Sequence, residues 1–239
     1  MIGAHHVGLA GGGYVLTRDL LKQGWHERLA QAGNPADYGI LPEAQLEASR
    51  RATLDARPEG GDLWLFAYGS LIWNPAFHFL ERRIGLVRGV HRSFCLWTHI
   101  GRGTNEEPGL VLGLERGGTC RGVFYRIGAA DIEEETALLW RREMITGAYR
   151  PAWVEGWSGG ERTKVLAFRI NTGHPRFTGA IERARKVRAL ALAEGPLGAC
   201  RDYLGSTAAG LAELDIEDPY LRGLVADVDA YRATAGLGG

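Results

Sequence analysis

Cysteines are few in this sequence, and charge of neither sign predominates. Cys95, Cys120 and Cys200 are an odd number, lie far apart and form no Cys-x-x-Cys pair, which argues against a disulfide scaffold and against a zinc site. The chain has 28 Lys plus Arg and 28 Asp plus Glu, so it lacks the basic footprint that nucleic-acid binding needs. We therefore expect a protein of the reducing cytoplasm without a nucleic-acid partner.

Long apolar runs are also missing. No stretch approaches the length of a membrane span, and residues 1–20 lack a basic region followed by a continuous apolar core. The adjacent His5 and His6 fall in a glycine-rich start, which is more typical of a flexible tail than of a metal site. These absences predict a chain that is neither inserted into a membrane nor exported. Its 239 residues, 45% of them hydrophobic, suffice for one sizeable core.

What the sequence does contain is a series of short strand patterns between helical segments. The candidate strands are 63–68, 84–88, 90–98, 109–114, 120–127, 150–157 and 163–170. The candidate helices are 17–32, 42–56, 131–144, 179–193, 196–209 and 217–233. Strands that are mostly contiguous, without a regular βαβ rhythm, predict an α+β domain built on a small mixed or antiparallel β-barrel. The last helices are expected to pack outside this barrel and to shape its mouth.

The segment Leu63–Asn74 is the most informative part of the chain. An apolar strand runs into a turn formed by Tyr68, Gly69, Ser70 and Leu71, and we expect a positive φ at Gly69 because the strand exit is sharp. Successive backbone N–H groups in such a turn can form a nest for an oxyanion or a carboxylate. A surface turn that merely ends a core strand would use the same Gly-Ser pair.

The helix predicted over 131–144 carries the second candidate group. Leu139 and Trp140 lie four and three positions before Glu143, so Glu143 shares their apolar face instead of the solvated face expected for Arg141 and Arg142. Burial and the negative end of the helix dipole both disfavour the ionised carboxylate, so its pKa is expected to rise. A raised pKa suits a general acid/base, although a structural pair with a nearby arginine explains the position equally well.

Both elements, in this order and at this separation, resemble the ChaC family of γ-glutamylcyclotransferases, and in particular its glutathione-specific bacterial branch. The resemblance covers the chain from about Leu63 to Tyr231. The matching stretches are Phe66–Pro75, Gly89–Cys95, Gly101–Thr104, Gly122–Arg126, Trp140–Gly147 and Gly195–Gly198. The family more often has glycine before the tyrosine of the turn, where this chain has Ala67, a difference of one methyl group that leaves the turn intact.

The resemblance implies the γ-glutamylcyclotransferase-like barrel and an enzyme that splits a γ-glutamyl peptide, usually glutathione. The α-amine attacks the γ-carbonyl, 5-oxoproline forms and cysteinylglycine leaves. The catalytic glutamate of the family falls on Glu143. The substrate-binding loop falls on Ala67, Tyr68, Gly69, Ser70, Leu71 and Ile72. No metal or nucleotide cofactor is needed, because the attack is intramolecular and held geometry supplies most of the rate advantage.

The expected layout is a single catalytic domain with flanking segments. It consists of a flexible N-terminus and helical lead-in over 1–62, the catalytic barrel with its C-terminal helices over 63–233, and a flexible tail over 234–239.

Two further residues are candidates for substrate contact. Arg102 lies on the glycine-flanked loop Gly101–Thr104, where its guanidinium can clamp a substrate carboxylate bidentately. The alternative is an exposed loop arginine without a role. Tyr149 follows the predicted catalytic helix, so its hydroxyl can reach Glu143 or the substrate, or its ring can simply pack against the barrel.

Two other functions stay open at the level of sequence. Ser70 is not in a Gly-x-Ser-x-Gly elbow, but a serine hydrolase that uses Ser70 with His91 or His99 is formally compatible with the chain. The stronger alternative is a non-catalytic small-ligand-binding or cation-transport regulatory module on the same barrel, since a fold does not guarantee an activity.

Overall fold

The computed structural model describes residues 15–25, 39–58 and 60–237, and its centre is a closed five-stranded barrel. The strands are β1 (Leu63–Ala67), β2 (Glu81–Thr98), β3 (Gly109–Ile127), β4 (Tyr149–Ser158) and β5 (Glu161–Ile170). They follow each other around the barrel in the order β1, β3, β2, β4, β5. Neighbours are antiparallel except β1 and β5, which are parallel and close the barrel at Leu65 and Leu166. The predicted α+β fold on a small mixed barrel is confirmed.

Helices surround this barrel. They are α1 (Arg18–Lys22), α2 (Glu43–Asp55), α3 (Ser70–Trp73), α4 (Ile132–Glu143), α5 (Arg183–Leu192), α6 (Cys200–Ala212) and α7 (Pro219–Thr234). A short hairpin of β6 (Glu194–Gly195) and β7 (Gly198–Ala199) precedes α6. In the helix predicted over 17–32, α1 ends at Lys22, and residues 26–32 lie outside the described part, as do His5 and His6. Among the described helices, none combines the length and the apolar character that crossing a membrane requires.

Two predicted breaks between strands are wrong. The segments 84–88 and 90–98 belong to one strand, β2, and the segments 109–114 and 120–127 belong to one strand, β3. Gly89 has φ 76°, and Gly117 and Gly118, which lie opposite it, have φ 100° and 72°. Glycines in this left-handed region let a ladder bend at a bulge without ending it. The glycines therefore mark a bend in a long hairpin and not the ends of four strands.

Aromatic packing fixes the last turns of α4 against the barrel. Trp140 of α4 and Phe168 of β5 pack edge to face with their ring centroids 5.3 Å apart, and Leu139 and Trp140 are each 1% exposed. Offset and edge-to-face ring pairs of this kind add to the stabilisation that burial provides. The residue that follows this buried turn, Glu143, is thereby held at a defined place beside the end of the barrel.

The three cysteines of the chain, Cys95, Cys120 and Cys200, are free and buried. Cys200 has its thiol against the carbonyl of Arg102 at 2.9 Å, and burial raises the pKa of that thiol to about 12. Such thiols behave as small apolar side chains and are poor nucleophiles at neutral pH. Their role in this fold is packing.

Candidate active site

A cavity lies beside the C-terminal end of α4 and collects four of the residues that the sequence predicted for the site. Glu143, Ser70, Arg102 and Tyr149 all line it. Further polar groups in its walls come from Arg142, Thr146, Arg176, Asp202, Tyr203 and Ser206. The last three of these belong to α6, so a C-terminal helix does shape the mouth, as the sequence predicted.

Glu143 is the central carboxylate of this cavity. Its side chain is 15% exposed, and burial raises the pKa of its carboxyl above the ordinary value. The Arg142 guanidinium, whose Nε lies 3.1 Å from Glu143 Oε1, acts in the opposite direction but does not outweigh burial. The predicted rise in pKa is confirmed, and the pair with an arginine is present as well. A raised pKa and an arginine partner are therefore both present at Glu143, and its geometry is compatible with either interpretation of its position.

Arg142 is buried, so its assignment to a solvated helix face is wrong. Its side chain is 5% exposed, whereas that of Arg141 is 31% exposed and pairs with Glu43. Arg142 donates hydrogen bonds to the Asn74 carbonyl at 2.6 Å and to Ser70 Oγ at 3.1 Å. It thus ties the end of α4 to α3. The signal for this was its place three residues after the buried Leu139, which is helical spacing for a shared face.

The predicted loop contributes less side-chain surface than expected. Among Ala67 to Ile72, only Ser70 lines the cavity, since the side chains of Ala67, Leu71 and Ile72 are buried in the core. Tyr68 is buried too and donates to the Phe168 carbonyl at 2.7 Å, while the Ile72 N–H donates to the Gly69 carbonyl. A ligand can therefore meet this loop through the Ser70 hydroxyl and through backbone N–H groups at the start of α3, which have no partner within the helix.

Gly69 does not have the positive φ that the sharp strand exit predicted. Its φ is −139°. Glycine is needed here because neighbouring side chains approach the backbone closely. A Cβ at this position would lie 3.2 Å from Tyr203 Oη and 3.5 Å from Leu112 Cδ1. The glycine lets α6 bring Tyr203 up to the loop. The correction leaves Gly69 important for a steric reason instead of a conformational one.

Arg102 is not an exposed loop side chain. Its Nη1 donates to the Ala199 carbonyl at 3.0 Å, its guanidinium lies over the Tyr203 ring at 5.3 Å from the centroid, and burial lowers its pKa. Tyr149 also faces the cavity, but its hydroxyl donates to the Leu112 carbonyl at 2.6 Å and not to Glu143. Burial, with Tyr203 and Glu143 nearby, keeps the pKa of the Tyr149 phenol well above its usual value.

Arg176 is a site residue that sequence reasoning missed. It lines the cavity, donates to Thr146 Oγ1, and keeps a buried Nε without a hydrogen-bond partner. Burial lowers the pKa of its guanidinium. Within residues 15–25, 39–58 and 60–237, neither Arg102 nor Arg176 forms an ion pair with a carboxylate. Arg176 stands in a loop without periodicity, so no pattern in the sequence points to it.

The arrangement contradicts a serine hydrolase. Ser70 Oγ accepts its hydrogen bond from Arg142, and no histidine in the described part of the chain lines the cavity. His91 is exposed, with Nδ1 3.0 Å from the Gly117 carbonyl. Without an imidazole beside it, the Ser70 hydroxyl has no general base of the kind that such an enzyme requires.

Comparison with known proteins places these features in a family. The family model described as ChaC-like protein matches residues 63–231. The glutathione-specific γ-glutamylcyclotransferase of Escherichia coli (strain K12) is 40% identical over 90% of this chain and 92% of its own length. The human glutathione-specific γ-glutamylcyclotransferase 1 is 29% identical over 72% of this chain and 73% of its own length.

A solved structure supports the same fold. The crystal structure of a γ-glutamylcyclotransferase specific to glutathione from yeast superposes with a TM-score of 0.66 at 21% identity, covering 72% of this chain and 97% of that one. The family match and the Escherichia coli relative confirm the resemblance that the motifs carried: this chain belongs to the ChaC-like family.

Proposed function

We propose that this chain is a γ-glutamylcyclotransferase that converts glutathione into 5-oxoproline and cysteinylglycine. The observation that carries the proposal is Glu143, a buried carboxylate with a raised pKa that faces a cavity on the family's barrel. A general acid/base that works near neutral pH needs such a group. The name of the Escherichia coli relative, at 40% identity over 90% of this chain, supports the same reaction.

Glu143 moves the proton in this reaction. Its carboxylate accepts a proton from the α-amine of the γ-glutamyl group as the nitrogen attacks the γ-carbonyl carbon. The C–N bond to the cysteinyl residue then breaks, and Glu143 returns the proton to the departing nitrogen. The five-membered lactam and the dipeptide account for all atoms of glutathione, so no water is consumed. Because nucleophile and electrophile belong to one molecule, positioning supplies much of the rate enhancement.

Arg102 and Arg176 make the cavity suitable for a ligand with two carboxylates. Both guanidiniums are partly desolvated, and neither forms an ion pair with the described residues. An unpaired buried cation is costly, and an anionic ligand relieves that cost. Glutathione carries one carboxylate on its glutamyl end and one on its glycyl end. Ser70, at the start of α3 on the cavity wall, adds its hydroxyl and its backbone N–H as donors for an oxygen of the γ-glutamyl group.

The direct test is product formation. Purified protein incubated with glutathione is expected to release 5-oxoproline and cysteinylglycine in equal amounts, without added metal and in the presence of a chelator. Chromatography with mass detection measures both products. If well-folded protein left glutathione unchanged but released 5-oxoproline from other γ-glutamyl compounds, the substrate would be wrong and the reaction class right. Inertness toward all of them would favour the non-catalytic binding module, which needs no proton-transferring carboxylate.

The raised pKa of Glu143 has a consequence for the pH dependence of stability. A carboxyl whose pKa is higher in the folded state than the ordinary ~4.3 binds protons more tightly in the folded state. Its contribution to the free energy of unfolding is fully present below the unfolded pKa and is lost as pH rises through the folded pKa. Glu143→Gln removes this ionisation. The melting temperature of the Gln variant relative to wild type should therefore increase as pH rises from about 4 to 8. Thermal melts across this range measure the difference.

The control is Glu155→Gln, on β4 and outside the cavity walls. A difference between wild type and Glu143→Gln that stayed constant with pH would show that burial does not shift the ionisation of Glu143. The activity should depend on the same ionisation in the opposite direction, because a protonated Glu143 cannot accept the proton of the amine. We expect kcat/KM for glutathione to fall on the acid side at a pH above that of an ordinary glutamate.

A further inference from the structure

Part of the cavity wall comes from residues before the stretch that the family model matches. Val15, Leu16 and Trp25 line the cavity together with residues of the barrel and of α6. The family match begins only at residue 63. The wall from the matched stretch includes the charged and hydroxyl groups of the site, whereas these three N-terminal residues are all apolar. The chain thus adds apolar surface, including an indole ring, to a cavity whose other walls carry both polar groups and apolar side chains such as Trp73 and Leu197.

Ion pairs hold this N-terminal wall, residues 15–25, against α4. Arg18 pairs with Glu135, which is 1% exposed, and with Glu134 at 2.8 Å, while Lys22 Nζ lies 2.6 Å from Glu134 Oε1. Glu135 also accepts a hydrogen bond from the His78 backbone N–H at 3.1 Å. A buried carboxylate with several donors holds its partners in a defined geometry. The wall is therefore docked on the same helix that carries Glu143.

A second set of contacts joins the wall to the catalytic carboxylate itself. The Asn74 side-chain amide donates to the Leu16 carbonyl at 3.0 Å, and the Asn74 carbonyl accepts from Arg142. Arg142 in turn pairs with Glu143. Two intervening residues thus connect Leu16 with Glu143. The wall stands within the same hydrogen-bonded network as the reacting groups.

The relatives cover this chain to different extents, and the chemistry of glutathione indicates which half of it an apolar wall suits. The yeast structure is matched over 97% of its length, yet 28% of this chain, the remainder of the 72% covered, has no counterpart in it. The match to the Escherichia coli relative leaves only 10% of this chain uncovered, so it extends into the 62 residues before Leu63. The attack on the γ-carbonyl is common to cyclotransferases. The glutamyl end of glutathione needs polar partners for its amine and its carboxylate, whereas the cysteinyl methylene and thiol can pack against apolar surface such as that of Leu16 and Trp25.

We propose that the N-terminal wall binds the cysteinylglycine half of glutathione, with Leu16 and Trp25 as specificity-determining residues. The proposal rests on the proposed cyclotransferase function, and it extends the substrate site beyond the predicted catalytic domain 63–233. An indole offers a broad, rigid apolar surface against which the peptide's methylene and thiol groups can lose water at little entropic cost. Leu16, whose backbone is fixed by Asn74, supplies the adjoining surface.

Dissociation constants in the Glu143→Gln background test this without interference from turnover. The probes are glutathione and γ-glutamylmethylamide, which keeps the γ-amide but lacks cysteinylglycine, both titrated by NMR. Trp25→Ala is expected to weaken glutathione binding roughly tenfold, as for a buried aromatic contact, and to leave γ-glutamylmethylamide within about twofold. The control Trp157→Ala removes a half-buried tryptophan on β4, outside the cavity, and should change neither constant.

A second variant protects the test against loss of the fold. Arg18→Met removes the ion pairs with Glu134 and Glu135 without altering the cavity surface. It should shift the ratio of the dissociation constants of glutathione and γ-glutamylmethylamide in the same direction as Trp25→Ala. Arg18→Lys keeps the charge and should shift this ratio less. Equal weakening of both ligands, or no change in either, would overturn the proposal. Failure of the cyclotransferase function looks different, because wild type would then bind glutathione and release no 5-oxoproline.

Discussion

Glu143→Gln is expected to reduce 5-oxoproline formation from glutathione by roughly two to four powers of ten, which is the range for loss of a positioned general acid/base. The amide keeps the size and shape of the side chain but cannot accept and return a proton. Binding of glutathione should persist, since its carboxylates are proposed to meet Arg102 and Arg176. Turnover and thermal stability measured on one preparation check the expectation.

The contacts of Arg142 decide how far the fold is affected. The Gln variant removes its charged partner at 3.1 Å, but the guanidinium keeps the Asn74 carbonyl and Ser70 Oγ as acceptors. We therefore expect the protein to stay folded near neutral pH, where the neutral amide also avoids the cost of burying a charge. Near-normal turnover by this variant would remove Glu143 from the mechanism.

Glu135→Gln provides a matched control on the same helix. Glu135 is a buried carboxylate paired with an arginine, as Glu143 is, but it does not line the cavity. Its amide should lower the melting temperature and raise the KM for glutathione through the loosened N-terminal wall, while kcat changes little. A loss of kcat as large as that of Glu143→Gln would show that turnover depends on buried ion pairs of α4 in general.

Gly69→Val is the second change with a large expected effect. A Cβ at Gly69 would already lie 3.2 Å from Tyr203 Oη, and the two methyl groups of valine would press further on Tyr203 and Leu112. Overpacking of this kind costs about 1–3 kcal/mol of stability. The strain falls where the loop, α3 and α6 meet beside the cavity. A displacement of about 1 Å at such a place is worth roughly a hundredfold in rate, and we expect at least that loss of kcat/KM.

Ser70→Ala is the comparison for this variant. It removes a hydroxyl that accepts from Arg142 and lines the cavity, but it leaves the backbone N–H groups in place, so its effect should be much smaller. Gly69→Ala should fall between the two, since it adds only the Cβ. Kinetic constants and melting temperatures of all three variants establish the order. Tolerance of valine together with complete loss in Ser70→Ala would refute the proposed role of the loop backbone.

The sequence predicted the barrel and the burial of Glu143 because both leave periodic signals. Strand alternation located segments of all five barrel strands, although it divided β2 and β3 into two segments each, and helical spacing from Leu139 and Trp140 placed Glu143 on a buried face. Two predictions that rest on glycines are wrong, at the bend of the β2–β3 hairpin and at Gly69, since a glycine pattern does not reveal whether φ or close packing requires the glycine. What glycine does at a position depends on neighbours that are distant in the chain, here Tyr203.

Of the remaining site residues, Arg142 follows a local pattern and Arg176 does not. Arg142 was assigned to solvent because it follows Arg141, although its spacing from Leu139 placed it on the buried face. Arg176 belongs to a loop whose position is set by pairing with β2, where the Trp97 N–H donates to the Arg176 carbonyl. Glu133, Glu134 and Glu135 fit the N-terminal turn of a helix, but their ion pairs to Arg18 and Arg50 depend on how the N-terminal helices dock.

The closure of the barrel bears on how the protein folds. The parallel strands β1 and β5 pair at Leu65 and Leu166, and this pairing is the seam that closes the barrel. Because the two residues are about 100 positions apart in the chain, forming the seam carries a high entropic cost of loop closure. The long β2–β3 hairpin needs no such closure and can form early. The hydrogen bond from Tyr68 to the Phe168 carbonyl continues the seam to the residue before Gly69. We therefore expect the substrate loop to reach its final position only when the barrel closes, so that catalytic competence is acquired late in folding.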